Sequence, residues 1–160
     1  MDREAAARAV TFRIGVELYA VDVQCVERVV RYIPPRAVPR LPAWIEGIVD
    51  VDGRVIPVVD MRRRLGAAVV GADVQTRLLL LTVNGDWCGM VVDQVLDVRP
   101  YAPAELAPPP ALVRGLAGEL ILGTLRRGDA LVLLLDAPQL FTAAERLTLD
   151  AAGIDAAVHA

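Results

Sequence analysis

The sequence predicts an all-β protein of the barrel or sandwich class, and three observations carry that expectation. Eight or so short apolar strands recur at regular spacing. Tight-turn sequences such as Asp52-Gly53 and Asn84-Gly85-Asp86 separate them. The helical patterns between them are too few and too short to serve as crossovers of a parallel sheet.

Taken in order, residues 1–9 read as a loose Ala/Arg lead. Thr11 to Ile14 and Leu18 to Val21 flank Gly15-Val16-Glu17, a hairpin with a three-residue loop. Asp22 can cap a helical turn over Val23 to Val26, and the β-branched stretch Val29 to Ile33 favours a strand. Pro34, Pro35, Pro39 and Pro42 make 34–42 an extended loop, and Ala43 to Gly47 fits one helical turn. Ile48 to Val51 and Val55 to Val59 then flank Asp52-Gly53, where a type I′ turn needs positive φ at both central residues. Pro57 removes a ladder donor, so the second strand lies at an edge or a bulge there. Asp60 can cap a short helical turn through Arg62 to Arg64, stopped by Gly66.

Residues 67–75 read as a surface loop. Thr76 to Val83 and Trp87 to Val98 read as strands; Met90-Val91-Val92 is apolar on both faces, as expected where two layers pack over it. Pro100 to Pro110 is a proline-rich connection. Glu119 to Leu125 and Ala130 to Leu135 are strands around Arg126-Arg127-Gly128-Asp129. Asp136 and Pro138 open a helical turn to Phe141, and Thr142 with Glu145 forms a capping box for a last helix. No strict repeat is visible, although two five-stranded halves can arise without one.

Composition narrows the function. The 160 residues are 55% hydrophobic, which suits one compact unit or two small packed barrels. No apolar run approaches the about 20 residues of a membrane helix. Met1-Asp2-Arg3-Glu4 does not resemble a secretory signal, so a cytoplasmic location without membrane insertion is expected. The chain has no Ser and no Lys; all seventeen basic residues are Arg, and the single histidine is His159. A serine nucleophile, a Schiff-base lysine and an internal histidine base are thereby absent, and no enzyme activity is expected.

No phosphate-binding glycine loop appears, and two cysteines with one terminal histidine lack the ligands of a structural zinc site. Neither a cofactor nor a metal is therefore expected. Cys25 and Cys88 read as small buried hydrophobes rather than a disulfide. A net charge of −3 and 4% aromatic residues disfavour nucleic acid. Arg62-Arg63-Arg64 is either a solvated turn or a seat for an acidic partner.

The order Gly47-Ile48-Val49-Asp50-Val51-Asp52-Gly53-Arg54-Val55-Ile56-Pro57-Val58-Val59-Asp60-Met61-Arg62 resembles the signature of the CheW family, the adaptors of bacterial chemosensory arrays. The likeness runs from about Phe12 to Phe141. It takes in Phe12-Arg13-Ile14-Gly15 with Val21-Asp22-Val23, then Leu41-Pro42-Ala43-Trp44-Ile45. Gly89-Met90-Val91-Val92-Asp93 with Val95 continues it, and Pro108-Pro109, Gly123 and Leu133-Leu134-Leu135-Asp136 close it.

The resemblance implies two SH3-like five-stranded barrels packed together, with an apolar groove between them. It implies one domain over 10–141, with intertwined subdomains of roughly 22–75 and 76–130 completed by the terminal strands; a helix and tail at 142–160 follow. A non-enzymatic adaptor is implied, with two principal partners: the regulatory domain of a CheA-type histidine kinase and the cytoplasmic tip of a chemoreceptor. Other CheW-like domains are a further possible partner. An adaptor of a non-flagellar pathway, for pilus motility or surface sensing, is the alternative.

Matched residue by residue, the receptor-facing candidates are Val26, Arg28, Gly47, Asp52, Val95 and Gly123. Core packing is an equal explanation for the valines, and backbone demand is the stronger one for the two glycines. The family usually has Arg in the hairpin where this chain has Asp52, and Glu in the preceding long strand where it has Arg28. An Arg28–Asp52 pair of reversed polarity is therefore expected, with solvent-facing charges as the alternative.

Overall fold

The structure, a computed structural model, describes residues 7–41, 45–62, 71–109 and 120–140. Among the described residues, ten strands form two five-stranded sheets. Three strands come early: β1 (Ala7–Ile14), β2 (Glu17–Asp22) and β3 (Val26–Arg31). β4 (Ile45–Val51), β5 (Arg54–Asp60), β6 (Arg77–Val83) and β7 (Asp86–Val92) follow. β8 (Gln94–Tyr101), β9 (Ile121–Arg127) and β10 (Ala130–Leu135) complete the set. One sheet has the order β3-β6-β7-β5-β4 and uses the continuous stretch 26–92; the other, β8-β1-β2-β10-β9, joins both ends of the chain. They are called here the central and the terminal barrel.

Each sheet is sealed by one pair of backbone hydrogen bonds beyond its edge strand. Arg36, downstream of β3, exchanges bonds of 2.8 and 2.9 Å with Ile48 of β4. Ala107, downstream of β8, does the same with Thr124 of β9, at 2.9 and 2.8 Å. Closure removes the free edges that a sheet of this size would otherwise present.

Alternating side chains build three cores. On β6, Leu78 and Leu80 enter the central barrel with Val49, Val51, Ile56, Val58 and Val91. Leu79, Leu81 and Val83 face the other way, into a shared layer with Phe12, Ile14, Tyr19, Val21, Met90 and Leu135. That layer draws on strands of both barrels, which accounts for the double-sided apolar character of Met90, Val91 and Val92. The terminal barrel holds a smaller cluster of Ala9, Ala20, Leu125, Val132 and Leu134. A fully buried Leu or Ile contributes about 1.5–3 kcal/mol, so the shared layer holds the two barrels together.

The structure meets the expectation of two packed five-stranded barrels and changes several details. The lead is shorter, because β1 begins at Ala7. Its hairpin with β2 has a two-residue turn, since Ile14 pairs directly with Glu17. The helical turn expected over Ala43 to Gly47 is strand from Ile45 onward. The long strand from Trp87 to Val98 is two strands in different sheets, broken at Asp93. There the chain crosses between barrels: the Asp93 N–H donates to Arg13 O at 3.0 Å, and the Gly15 N–H donates to Asp93 Oδ2 at 2.6 Å.

The barrels consequently divide the chain as 26–92 against 7–22 with 94–135, not near residue 75. The proline-rich stretch after Pro100 begins inside β8, which runs to Tyr101. The last helix over 142–160 and most of the turn after Asp60 lie outside the described residues.

Other expectations are met. Asp22 Oδ1 accepts from Gln24 N–H at 2.9 Å and caps a 3-10 turn over Val23–Cys25. Asp52 and Gly53 have φ of 53° and 82°, the type I′ pattern. β5 is an interior strand between β7 and β4 rather than the edge expected at Pro57, but Pro57 is opposite Ile48, whose N–H and C=O both bond to Arg36 instead. On its other side, pairing of β5 with β7 begins only at Val58. The missing proline donor thus falls where neither neighbour asks for it.

Candidate functional site

Arg28 lies on β3, one edge strand of the central sheet, and Asp52 at the tip of the β4–β5 hairpin on the opposite edge. Barrel closure brings them together: Arg28 Nη1 is 2.7 Å from Asp52 Oδ2. Their side chains keep 46% and 70% of their exposure, so this is a surface pair. Such pairs are worth about 0–1 kcal/mol. Glu27 is not the partner. It is the extra residue where the register shifts between Val26 and Arg28, and its Oε2 accepts from Thr82 Oγ1 at 2.6 Å. The bulge places Arg28, rather than its neighbour, on the side that meets the hairpin.

The other candidates occupy equivalent places in the two barrels. Val26 pairs with Leu81 just before the bulge in β3, and Val95 pairs with Phe12 just before a bulge in β8. Both are half-buried against the shared layer. Gly47 and Gly123 each precede the residue that seals its barrel, Ile48 and Thr124. A Cβ on Gly123 would stand 2.5 Å from Ala107 O, and one on Gly47 would meet Arg36 O more closely still. Gly47 also has φ of 150°. The closing strands therefore pass too near these glycines for any side chain. Arg28 and Asp52 are exposed and Val26 and Val95 half-buried, whereas Gly47 and Gly123 are buried under the closing strands.

Two features escape the sequence reading. The first is a quasi-repeat: the antiparallel and parallel pairings of β3-β6-β7-β5-β4 recur in β8-β1-β2-β10-β9. A faint signal was available. Val26, Val29, Tyr32 and Pro34 have the spacing of Val95, Val98, Tyr101 and Pro103, and Gly47 precedes Asp60 by as many residues as Gly123 precedes Asp136.

The second is a buried charge network at the crossing between barrels. Arg62 Nε donates to Asp60 Oδ1 at 3.0 Å, and its Nη1 lies 3.6 Å from Asp93 Oδ1; the Arg62 side chain is only 7% exposed. Burial disfavours charge on Arg62, but the hydrogen bond and charge of Asp60, with the charges of Asp93 and Glu46, raise its pKa above the usual value. Asp93 carries the connection onward to Gly15 in the terminal barrel.

Among the described residues no group of three or more His, Cys, Asp or Glu could hold a metal, and no helix is long and apolar enough to cross a membrane. Cys25 and Cys88 are free thiols; Cys88 is wholly inside the shared layer, and burial pushes its pKa up to about 12. Cys25 is only partly buried.

Comparison with known proteins agrees with this architecture. The model of the CheW-like domain matches residues 8–145. The chemotaxis protein CheW of Treponema pallidum is 29% identical over 140 residues, covering 85% of this chain and 82% of the relative. Protein FrzA of Myxococcus xanthus is 32% identical over 131 residues, covering 78% and 81%. The crystal structure of the scaffolding protein TtCheW from Thermoanaerobacter tengcongensis superposes with a TM-score of 0.80 at 28% identity, covering 88% of this chain and 90% of that one.

Proposed function

Since the chain belongs to the CheW-like domain family, we propose that it is a non-enzymatic adaptor of a bacterial chemosensory array, coupling a CheA-type histidine kinase to chemoreceptors. The observation that carries this reading is the superposition on a scaffolding protein over nine-tenths of both chains, with two SH3-like barrels in the same arrangement. Its work is recognition. Shaped apolar surface with a few charges suffices for that, and no reacting group is required.

The receptor tip is assigned to the surface carrying Val26, Arg28, Asp52 and Val95, supported from below by Gly47 and Gly123. Half-exposed valines from both barrels flank the shared layer there, as a helical hairpin lying between the barrels requires. The kinase regulatory domain is assigned to one barrel end. The adaptor works in the cytoplasm and is drawn to arrays at the inner membrane face through these partners. Transmission follows if it binds one geometry of the kinase–receptor assembly more tightly than another.

The Arg28–Asp52 polarity favours a second reading in which the pathway is non-flagellar and its receptors differ. The charge order is reversed from that of the family signature, and repulsive charge discriminates partners as effectively as attraction.

Titration calorimetry with purified receptor-tip fragments and kinase regulatory domains from the same cell tests both readings. Binding to one kinase and one receptor class is expected. Failure to bind any kinase regulatory domain would remove the adaptor assignment, and binding across all receptor classes would remove the specificity reading.

A further inference from the structure

The quasi-repeat allows the two barrel interiors to be compared position by position. In the central barrel Leu78 and Leu80 of β6 stand opposite Val30 and Arg28 of β3. The same ladder positions of the terminal barrel hold Ala9 and Thr11, opposite Arg99 and Asp97 of β8. Across the next ladder, Leu78 pairs with Val91, but Ala9 pairs with Asp22. At the ends of the equivalent hairpins, Val51 precedes the tight turn in one barrel and Arg127 in the other.

The terminal barrel thus has a small or polar residue at five ladder positions where the central barrel has Leu or Val. Its buried cluster is correspondingly reduced. Free energy of burial scales with apolar area, so the two barrels, alike in topology, are unlike in cohesion.

The deficit falls on one element. Inside its barrel the β9–β10 hairpin buries Leu125, Val132 and Leu134 against Ala9 and Ala20, while Ile121 and Leu135 enter the shared layer as Ile45 and Val59 of β4–β5 do. Its central counterpart, β4–β5, buries Val49, Val51, Ile56 and Val58 against Leu78, Leu80 and Val91. On its outer face the β9–β10 hairpin leaves Leu122 and Leu131 at 50% and 43% exposure, so release of the hairpin forfeits less burial than its sequence suggests. Its attachment is also the most distant in the chain. The parallel ladder to β2 joins Val132 to Leu18, whereas the matching ladder of the central barrel joins Val58 to Gly89.

We infer that β9–β10, residues 121–135, is the releasable element of this fold. It opens sub-globally while the central barrel and the β1–β2 and β6–β7 pairs stay closed. Local opening of a weakly packed unit below the global unfolding free energy is a general property of folded chains. Here the unevenness of the two interiors selects which unit that is. The inference rests on packing alone and stands whether or not the adaptor assignment holds.

Native-state hydrogen exchange on the full chain, followed residue by residue at low denaturant, tests it. Amides in the β9–β10 ladder are expected to exchange at least tenfold faster than those in the β4–β5 ladder. Thr11→Val, a near-isosteric change that makes the terminal interior more apolar, is expected to slow β9–β10 and leave β4–β5 unchanged. Protection in the two hairpins within tenfold of each other would overturn the inference. So would a gap that Thr11→Val leaves untouched, or one that moves both hairpins together.

Discussion

Arg28 and Asp52 come from opposite edges of one sheet and meet at 2.7 Å because that sheet closes into a barrel. Exposure of both side chains keeps the stabilising effect small, so a role in the proposed recognition would come through the sign pattern of the pair at the surface. Arg28→Glu and Asp52→Arg should each move the unfolding free energy by no more than about 1 kcal/mol, while weakening binding to the native receptor. The double exchange restores opposite charges and should bind better than the worse single variant. A double variant that binds as poorly as that single would show that the pairing has no role in recognition.

The sealing glycines should be far less tolerant than the turn glycine. Gly47→Ala and Gly123→Ala each push a methyl into a backbone carbonyl, Arg36 O or Ala107 O. A loss of about 2–4 kcal/mol is expected in chemical denaturation, at the severe end of single substitutions. Gly53→Ala meets nothing within 4 Å and suffers only from its φ of 82°, so about 1 kcal/mol is expected there.

Arg62→Met should be among the most damaging substitutions, because it leaves Asp60 and Asp93 buried without their guanidinium. Removing one partner of a buried ion network costs about 3–5 kcal/mol. The Gly15 amide, held by Asp93, should lose exchange protection in the same variant.

Cys88 makes the fold sensitive to alkali. Its thiol is near 9 when exposed and about 12 in the folded chain, so the unfolded state releases its proton first. Stability should be unaffected by this group below pH 9 and fall as pH rises towards 12, by a few kcal/mol in total. Tyr101 acts in the same direction, raised to about 12 by burial and by its hydrogen bond to Asp22. Cys88→Ala should flatten the alkaline limb of the stability profile without abolishing it. At neutral pH a thiol reagent should label Cys25 in the folded protein and reach Cys88 only on unfolding.

How much of this was legible in the sequence depends on the range of each interaction. Turns are local, so Asp52-Gly53, Asn84-Gly85 and the Asp22 cap could be read directly from residue type. The break at Asp93 could not. Asp93-Gln94 is a polar pair between two apolar stretches with no turn residue to mark it, and the crossing is fixed by bonds to Arg13 and Gly15 far away in the chain. The helical turn expected at 43–47 failed for a related reason: pairing of β4 with β5 fixes Ile45 as strand whatever its local preference. The permuted quasi-repeat was hidden because the terminal barrel takes its first two strands from one end of the chain and its last three from the other. Of the candidate site, the Arg28–Asp52 pairing was visible through family resemblance. The Asp60–Arg62–Asp93 network was not, because nothing local distinguishes Arg62 from Arg63 and Arg64, which follow it.

The most direct measurement of the adaptor assignment is co-sedimentation of a CheA-type kinase with receptor-bearing membranes from the same cell, with and without this protein. Kinase recovered in the membrane pellet only when the protein is added, and lost again with Arg28→Glu, is the predicted result. Kinase that pellets equally in its absence, or stays in the supernatant in its presence, would contradict the assignment.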